Sequence, residues 1–228
     1  MGPVRLLDVE QDLFVAVADA PLDRYGEAAI KRGLSDLDWV SRAAVAHEAV
    51  IESFASEKAV LPMKLFTLFT ADDRAVEHVR ANRRRIAEVV QRVANHQEWG
   101  VRIVVDRAGA AAAAPEERTT ARQRSGVAYL TRKKAQRDAA AKRLARAGET
   151  VGALYDRLAT RSQLAKRRPA GELPVQGGRL LLDAAFLVPR ARVASFQALA
   201  SRESRALARQ GLALSFSGPW PPYSFVQD

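Results

Sequence analysis

Between Gly126 and about Arg167 the chain runs without a proline and is dominated by alanine, arginine and lysine. Helix propensity is high at nearly every position of such a stretch. It is expected to form one long helix, or two that meet near Gly148. Leu144, Ala147, Val151, Leu154 and Leu158 make a narrow seam at heptad-like spacing. The preceding YLTRKKAQRDAAAKR is charged apart from Tyr129 and Leu130. The helix should therefore be only partly packed and partly coiled-coil-like. Two regions of a different kind flank it.

The amino-terminal region alternates strand-like and helix-like patterns. DLFVAVADAPL reads as a strand closed by Pro21. Leu37, Val40, Ala44, His47, Ile51 and Phe54 then form one helical stripe, with Ser35 as its N-cap. AVLPMKLFTLFT is apolar and reads as a strand entered through Pro62. Residues 71–97 read as one amphipathic helix with Asp72 and Asp73 at its positive end and a stripe of Val76, Val79, Ile86, Val90 and Val93. EWGVRIVVD closes the region as a strand. This β, α, β, α, β order resembles a ferredoxin-like layout without its opening strand. RAGAAAAAPEERTTARQRS lacks apolar periodicity and reads as a linker. After the long helix, RRPAGELPVQGG reads as a loop. RLLLDAAFLVP, RARVASFQALASRESRALARQ and GLALSFSG follow as strand, helix and strand, with a helix stripe of Val193, Phe196, Leu199 and Leu207. The expected fold class is α+β with two domains. Residues 1–107 form a modified ferredoxin-like domain whose opening strand is missing or altered, 108–125 a linker, and 126–228 a C-terminal α/β domain of long helix plus βαβ unit.

Charge is unevenly placed along the 228 residues. The net charge is +10; residues 1–110 hold 15 Lys/Arg against 17 Asp/Glu, and residues 111–228 hold 21 against 9. The excess concentrates between Glu116 and Arg168, in and around the long helix. Such a block attracts acidic partners: nucleic acid, an anionic surface or an acidic protein. Arg132, Lys133, Lys134, Arg137, Lys142, Arg143 and Arg146 are the candidate contact residues. No aromatics interleave with them, which counts against nucleic acid.

Several chemistries are not supported. There are no cysteines, which excludes disulfides and thiolate metal sites and suits a reducing compartment. His47, His78 and His96 show no ligand spacing, so no metal is expected. No phosphate-binding glycine loop, nucleophile elbow or zinc-protease motif occurs. Asp36 with Asp38, and Asp72 with Asp73, read as helix N-terminal residues rather than acid–base pairs. His47 reads as a satisfied stripe residue. No cofactor, small-molecule substrate or enzyme activity is expected. MGPVRLLDVEQDLF is interrupted by Asp8, Glu10 and Asp12 before any apolar run forms, and no run is long enough to span a bilayer. A cytoplasmic protein is expected.

The chain ends SFSGPWPPYSFVQD, with Trp220, Tyr223 and Phe225 set among Pro219, Pro221 and Pro222. SGPWPPYSF strongly resembles the C-terminal signature of the gas vesicle GvpL/GvpF family. LLLDAAFLVPRARVASF is similar to that family's penultimate strand and last helix, and GVAYLTRKKAQRDA to its helix opening. LDWVSRAAVAHEAVI, VLPMKLFTLF and EWGVRIVV match in order, so the likeness covers nearly the whole chain. There are two departures. Many members open with a Tyr-rich strand, where this chain has MGPVRLLDVEQ. Many carry Arg-Phe-Gly-Thr after VLP, where this chain has Lys64, Leu65, Phe66 and Thr67. A tight backbone approach at the glycine position is therefore not expected here.

The resemblance implies a non-enzymatic accessory protein of gas vesicle assembly, gas vesicle associated, that contacts the hydrophobic shell subunit GvpA and other accessory proteins. It also implies a modified ferredoxin-like domain followed by an α/β part with a coiled-coil-like helix. The alternative function is nucleic-acid or anionic-surface binding through the basic helix. For the ending, Trp220, Pro221, Pro222, Tyr223 and Phe225 are expected to form an interdomain clasp, filling the crevice between the domains. Their other reading is an exposed partner-binding strip.

Overall fold

The structure, a computed structural model, describes residues 2–105, 126–169 and 179–226. The expected linker, 108–125, lies outside the described residues, as does most of the loop 167–178. The chain is a mixture of helix and sheet and divides into two compact units, after His96 and again after Pro219.

The first unit opens with β1 (Arg5–Glu10) and β2 (Leu13–Val17), an antiparallel hairpin with a bulge between Asp8 and Glu10. An opening strand is thus present. Its charges hid it from a reading of hydrophobicity, yet the period-two alternation is intact. Leu7 and Val9 face the core with Leu13, Val15 and Val17, while Leu6 and Asp8 stay exposed. Asp12 turns the hairpin at φ 61°, a conformation that Asp tolerates. Arg5 anchors the strand through Asp19 at 2.8 Å and Asp72 at 2.6 Å.

Three helices follow: α1 (Leu22–Tyr25), α2 (Glu27–Gly33) and α3 (Leu37–Ser53). Asp36, not Ser35, caps α3, accepting from the backbone N–H groups of Asp38 and Trp39 at 3.0 and 3.1 Å. The buried stripe is also rotated from the expected one. Leu37 is 82% exposed, whereas Ala43 and Ile51 are buried and Val40, His47 and Phe54 half-buried. Helices α4 (Asp72–Ala81) and α5 (Arg83–Val93) replace the single expected helix. The break is at Asn82, whose side-chain amide donates to the His78 carbonyl at 2.8 Å, a local bond that competes with helix continuation.

The apolar stretch 59–71 contains no strand. Pro62 lacks a ladder donor. Lys64 and Thr67 then close a turn, the Thr67 N–H and hydroxyl both donating to the Lys64 carbonyl. Inside that turn Phe66 adopts φ 65°. Left-handed backbone costs a side-chain-bearing residue about 1–2 kcal/mol. The Phe66 ring stacks on Trp39 at 5.1 Å with a 16° interplanar angle, a contact that offsets about 0.5–1.5 kcal/mol.

The second unit is a sheet in the order β4–β5–β3–β6, built from β3 (His96–Val105), β4 (Leu164–Arg167), β5 (Leu180–Pro189) and β6 (Leu212–Trp220). β3, read from sequence as closing the amino-terminal domain, pairs here. β4 was hidden in a stretch that reads as helix or loop; antiparallel pairing with β5, Leu164 opposite Leu187, makes it a strand. One face of the sheet carries α6 (Gly126–Ala159) and α7 (Val193–Ala208). α6 is one continuous helix through Gly148. Val151, Leu154 and Leu158 bury against Val101, Ile103, Leu182, Ala184, Phe186 and Val188, and α7 adds Phe196, Leu199 and Leu207. β6 turns at Gly218, where φ is 128° and an added Cβ would lie 2.9 Å from the Glu98 carbonyl oxygen, so only glycine fits.

Two outcomes follow. Phe66→Ala loses the stack and keeps the strained backbone, while Phe66→Gly loses the stack and relieves the strain. In chemical denaturation the glycine variant should be the more stable by about 1 kcal/mol. Arg5 hydrogen-bonds the Asp72 carboxylate and holds its pKa below the usual range. A lowered folded-state pKa adds stability above the unfolded value and loses it as pH falls through the lowered one. The destabilisation caused by Asp72→Asn should therefore be present at neutral pH and vanish below the normal carboxylate range, measured as the difference in Tm between the two proteins across acidic pH.

Candidate functional site

The proline-aromatic ending belongs to the first unit from Trp220 onward. Pro221 and Pro222 are buried and lead into a single turn, α8 (Tyr223–Val226). The turn is closed by Tyr223 N–H to the Pro221 carbonyl at 2.7 Å and Phe225 N–H to the Pro222 carbonyl at 3.0 Å. Proline fits here because its fixed φ starts the turn and its missing N–H is not needed.

Two distant helices hold this turn. The Tyr223 hydroxyl donates to the Glu48 carboxylate on α3. The Arg92 guanidinium, in the last turn of α5, donates to the Phe225 carbonyl at 3.4 Å. A cationic side chain near a helix C-terminus is favourably placed, and here it also serves the tail. Phe225 is 6% exposed, Tyr223 is half-buried and Trp220 remains 40% exposed. The three aromatics are therefore not equivalent. Phe225 fills core space, Tyr223 bonds a carboxylate, and Trp220 presents much of its ring to solvent.

Glu48 and Arg92 are the partners that the sequence analysis missed. Glu48 precedes buried Ile51 by three residues, so it shares a helical row with it; that spacing was the available signal. Arg92 carried none.

The seven candidate basic residues, Arg132, Lys133, Lys134, Arg137, Lys142, Arg143 and Arg146, lie along the first part of α6 in the second unit, and all are exposed. Their charge is not gathered on one face. At 100° per residue they are distributed around the helix. The carboxylate pairs stand at helix N-termini, as expected: Asp36 caps α3, and Asp72 and Asp73 lie in the first turn of α4, where Asp72 also accepts from Arg5, a contact the sequence did not show. Among the described residues no group of His, Asp and Glu could hold a metal ion, and no helix is long and apolar enough to cross a membrane.

The tail geometry sets an order of effects. Phe225→Ala should cost about 3 kcal/mol, as for a buried aromatic truncated to alanine. Trp220→Ala, which removes a ring only partly covered, should cost less than Phe225→Ala. Thermal and denaturant unfolding of the two variants will rank them, and equal losses would contradict this division of roles.

Comparison with known proteins places this architecture. The family model described as gas vesicle synthesis protein GvpL/GvpF matches residues 1–227. Gas vesicle protein L of Streptomyces sp. (strain CB03234) is 30% identical over 226 residues, covering 98% of this chain and 83% of that protein. The crystal structure of gas vesicle protein GvpF from Anabaena sp. PCC7120 superposes with a TM-score of 0.67 at 16% identity, covering 99% of this chain and 88% of that one. GvpF from Microcystis aeruginosa gives 0.60 at 15% identity, covering 100% and 90%. The two crystal structures share the fold, and the match of the family model along residues 1–227 shows that the chain belongs to the GvpL/GvpF family of gas vesicle synthesis proteins.

Proposed function

We propose that this chain is a non-enzymatic accessory protein of gas vesicle assembly that contacts the shell subunit GvpA and other vesicle accessory proteins in the cytoplasm. The observation that carries the reading is family membership along residues 1–227. Surface chemistry supports it. Leu22, Leu34, Leu37 and Val45, on or beside α1–α3, expose large apolar side chains, and exposed apolar groups of this kind suit a hydrophobic partner. In this reading α6 supplies the coiled-coil-like helix of the carboxy-terminal part of the chain. The ending acts first as a clasp through Pro221, Pro222, Tyr223 and Phe225. Trp220 is the part of it best placed to meet a partner.

Co-expression of a tagged form of this chain with GvpA tests the contact. The expected result is co-purification of GvpA, weakened by Leu37→Asp or Trp220→Ala with Tm little changed. If GvpA and every other vesicle protein stay in the unbound fraction of the wild-type purification, the assembly-contact reading fails.

A further inference from the structure

The long helix changes character halfway along its length. Its 34 residues extend about 50 Å. From Leu144 onward the seam of Leu144, Ala147, Val151, Leu154 and Leu158 is progressively buried. Traced backward at the same heptad-like spacing, the seam continues through Ala140, Arg137, Lys133 and Leu130. Every residue from Tyr129 to Arg143 is exposed. Two of these four positions, Arg137 and Lys133, hold cations where the packed half holds apolar side chains, and the other two, Leu130 and Ala140, are exposed. An arm built this way does not continue the apolar packing that buries the rest of the helix.

The charge balance states what such an arm suits. Residues 129–146 carry seven Lys/Arg and one acidic residue, Asp138. Lys133 with Arg137, and Lys142 with Arg146, are like-charged i, i+4 pairs, each unfavourable in an isolated helix. The alanines between them hold the helix by propensity, and the acidic neighbour on this stretch, Asp138, lies 4.0 Å from Arg137. An anionic partner relieves the repulsion and gains ion pairs at once.

The chemistry of the anion is narrowed by what the arm lacks. Residues 131–146 contain no aromatic side chain on which a base can stack. Small alanines let another helix or an extended chain approach closely, and cations all round the axis suit carboxylates that wrap it. We propose that the exposed half of α6 is a docking rod for a protein segment rich in Asp and Glu. This goes beyond the assembly role above and stands on α6 alone, so a failure to bind GvpA leaves it untouched.

The test uses the full-length protein and a fluorescently labelled peptide rich in glutamate, followed by anisotropy. Wild type should bind at low salt and release the peptide as salt rises. The variant K133Q/K134Q/K142Q/R143Q should bind about tenfold more weakly. Glutamine matches lysine and arginine in helix propensity, so its far-UV dichroism should equal that of wild type. A charge-matched control, K31Q/R42Q/R85Q/R209Q, should keep the affinity within about threefold. The proposal is overturned if the arm variant binds like wild type, or if the control loses as much as the arm variant. It is equally overturned if a short DNA duplex or a phosphatidylserine vesicle binds the arm more tightly than the peptide does.

Discussion

Seven consecutive residues of β5, 182–188, are buried, so this strand has no solvent face at all. A strand in that position must be apolar along its whole length or supply a partner for each polar group it carries. It carries one, Asp183, which is 5% exposed. Arg102 on β3 donates to one carboxylate oxygen at 2.9 Å. The Arg168 guanidinium, just past β4, approaches the other at 3.0 Å, with a geometry that makes it an ion contact rather than a hydrogen bond. The carboxylate is thus held from both neighbouring strands. Removing either arginine leaves a buried charge short of compensation, whereas any slip of one strand moves its arginine away. Apolar burial drives this sheet together, and the ion triplet sets how its strands align.

That constraint explains which elements were legible in the sequence. RLLLDAAFLVP announces a doubly buried strand by its unbroken apolar run, and α7 announces itself by the spacing of Phe196, Leu199 and Leu207. The existence of α6 was legible from the missing proline, but its end was not, since it stops at Ala159 rather than near Arg167. β4 was not legible. Its four residues, LAKR, have no pattern of their own and become a strand through pairing with β5. Residues 59–71 failed in the opposite direction. Their apolar content resembles a strand, but Pro62 and the left-handed Phe66 commit the backbone to turns. For β4 a tertiary contact, the pairing with β5, outweighed local preference.

The candidate site was legible as a string and not as a geometry. The ending is conspicuous because prolines and aromatics rarely cluster, but nothing in SGPWPPYSF says which ring is buried. The answer depends on Glu48 and Arg92, which are 175 and 133 residues from the groups they bind. Their identities cannot be inferred from the tail. The basic helix shows the reverse. Its charges were plain in the sequence, and the structure adds that they are spread round the helix and that the packed seam stops where they begin.

The residues of the ending play different physical parts. Phe225, with 6% of its surface exposed, fills core space in the first unit. Buried Pro221 and Pro222 are constrained in the same way, by the shape of the turn they start. Trp220 is less constrained, with 40% of its surface exposed. Folding alone accounts for Phe225 and the prolines. That asymmetry divides the ending into a buried anchor, Phe225 with the two prolines, and a ring that packing leaves partly in solvent.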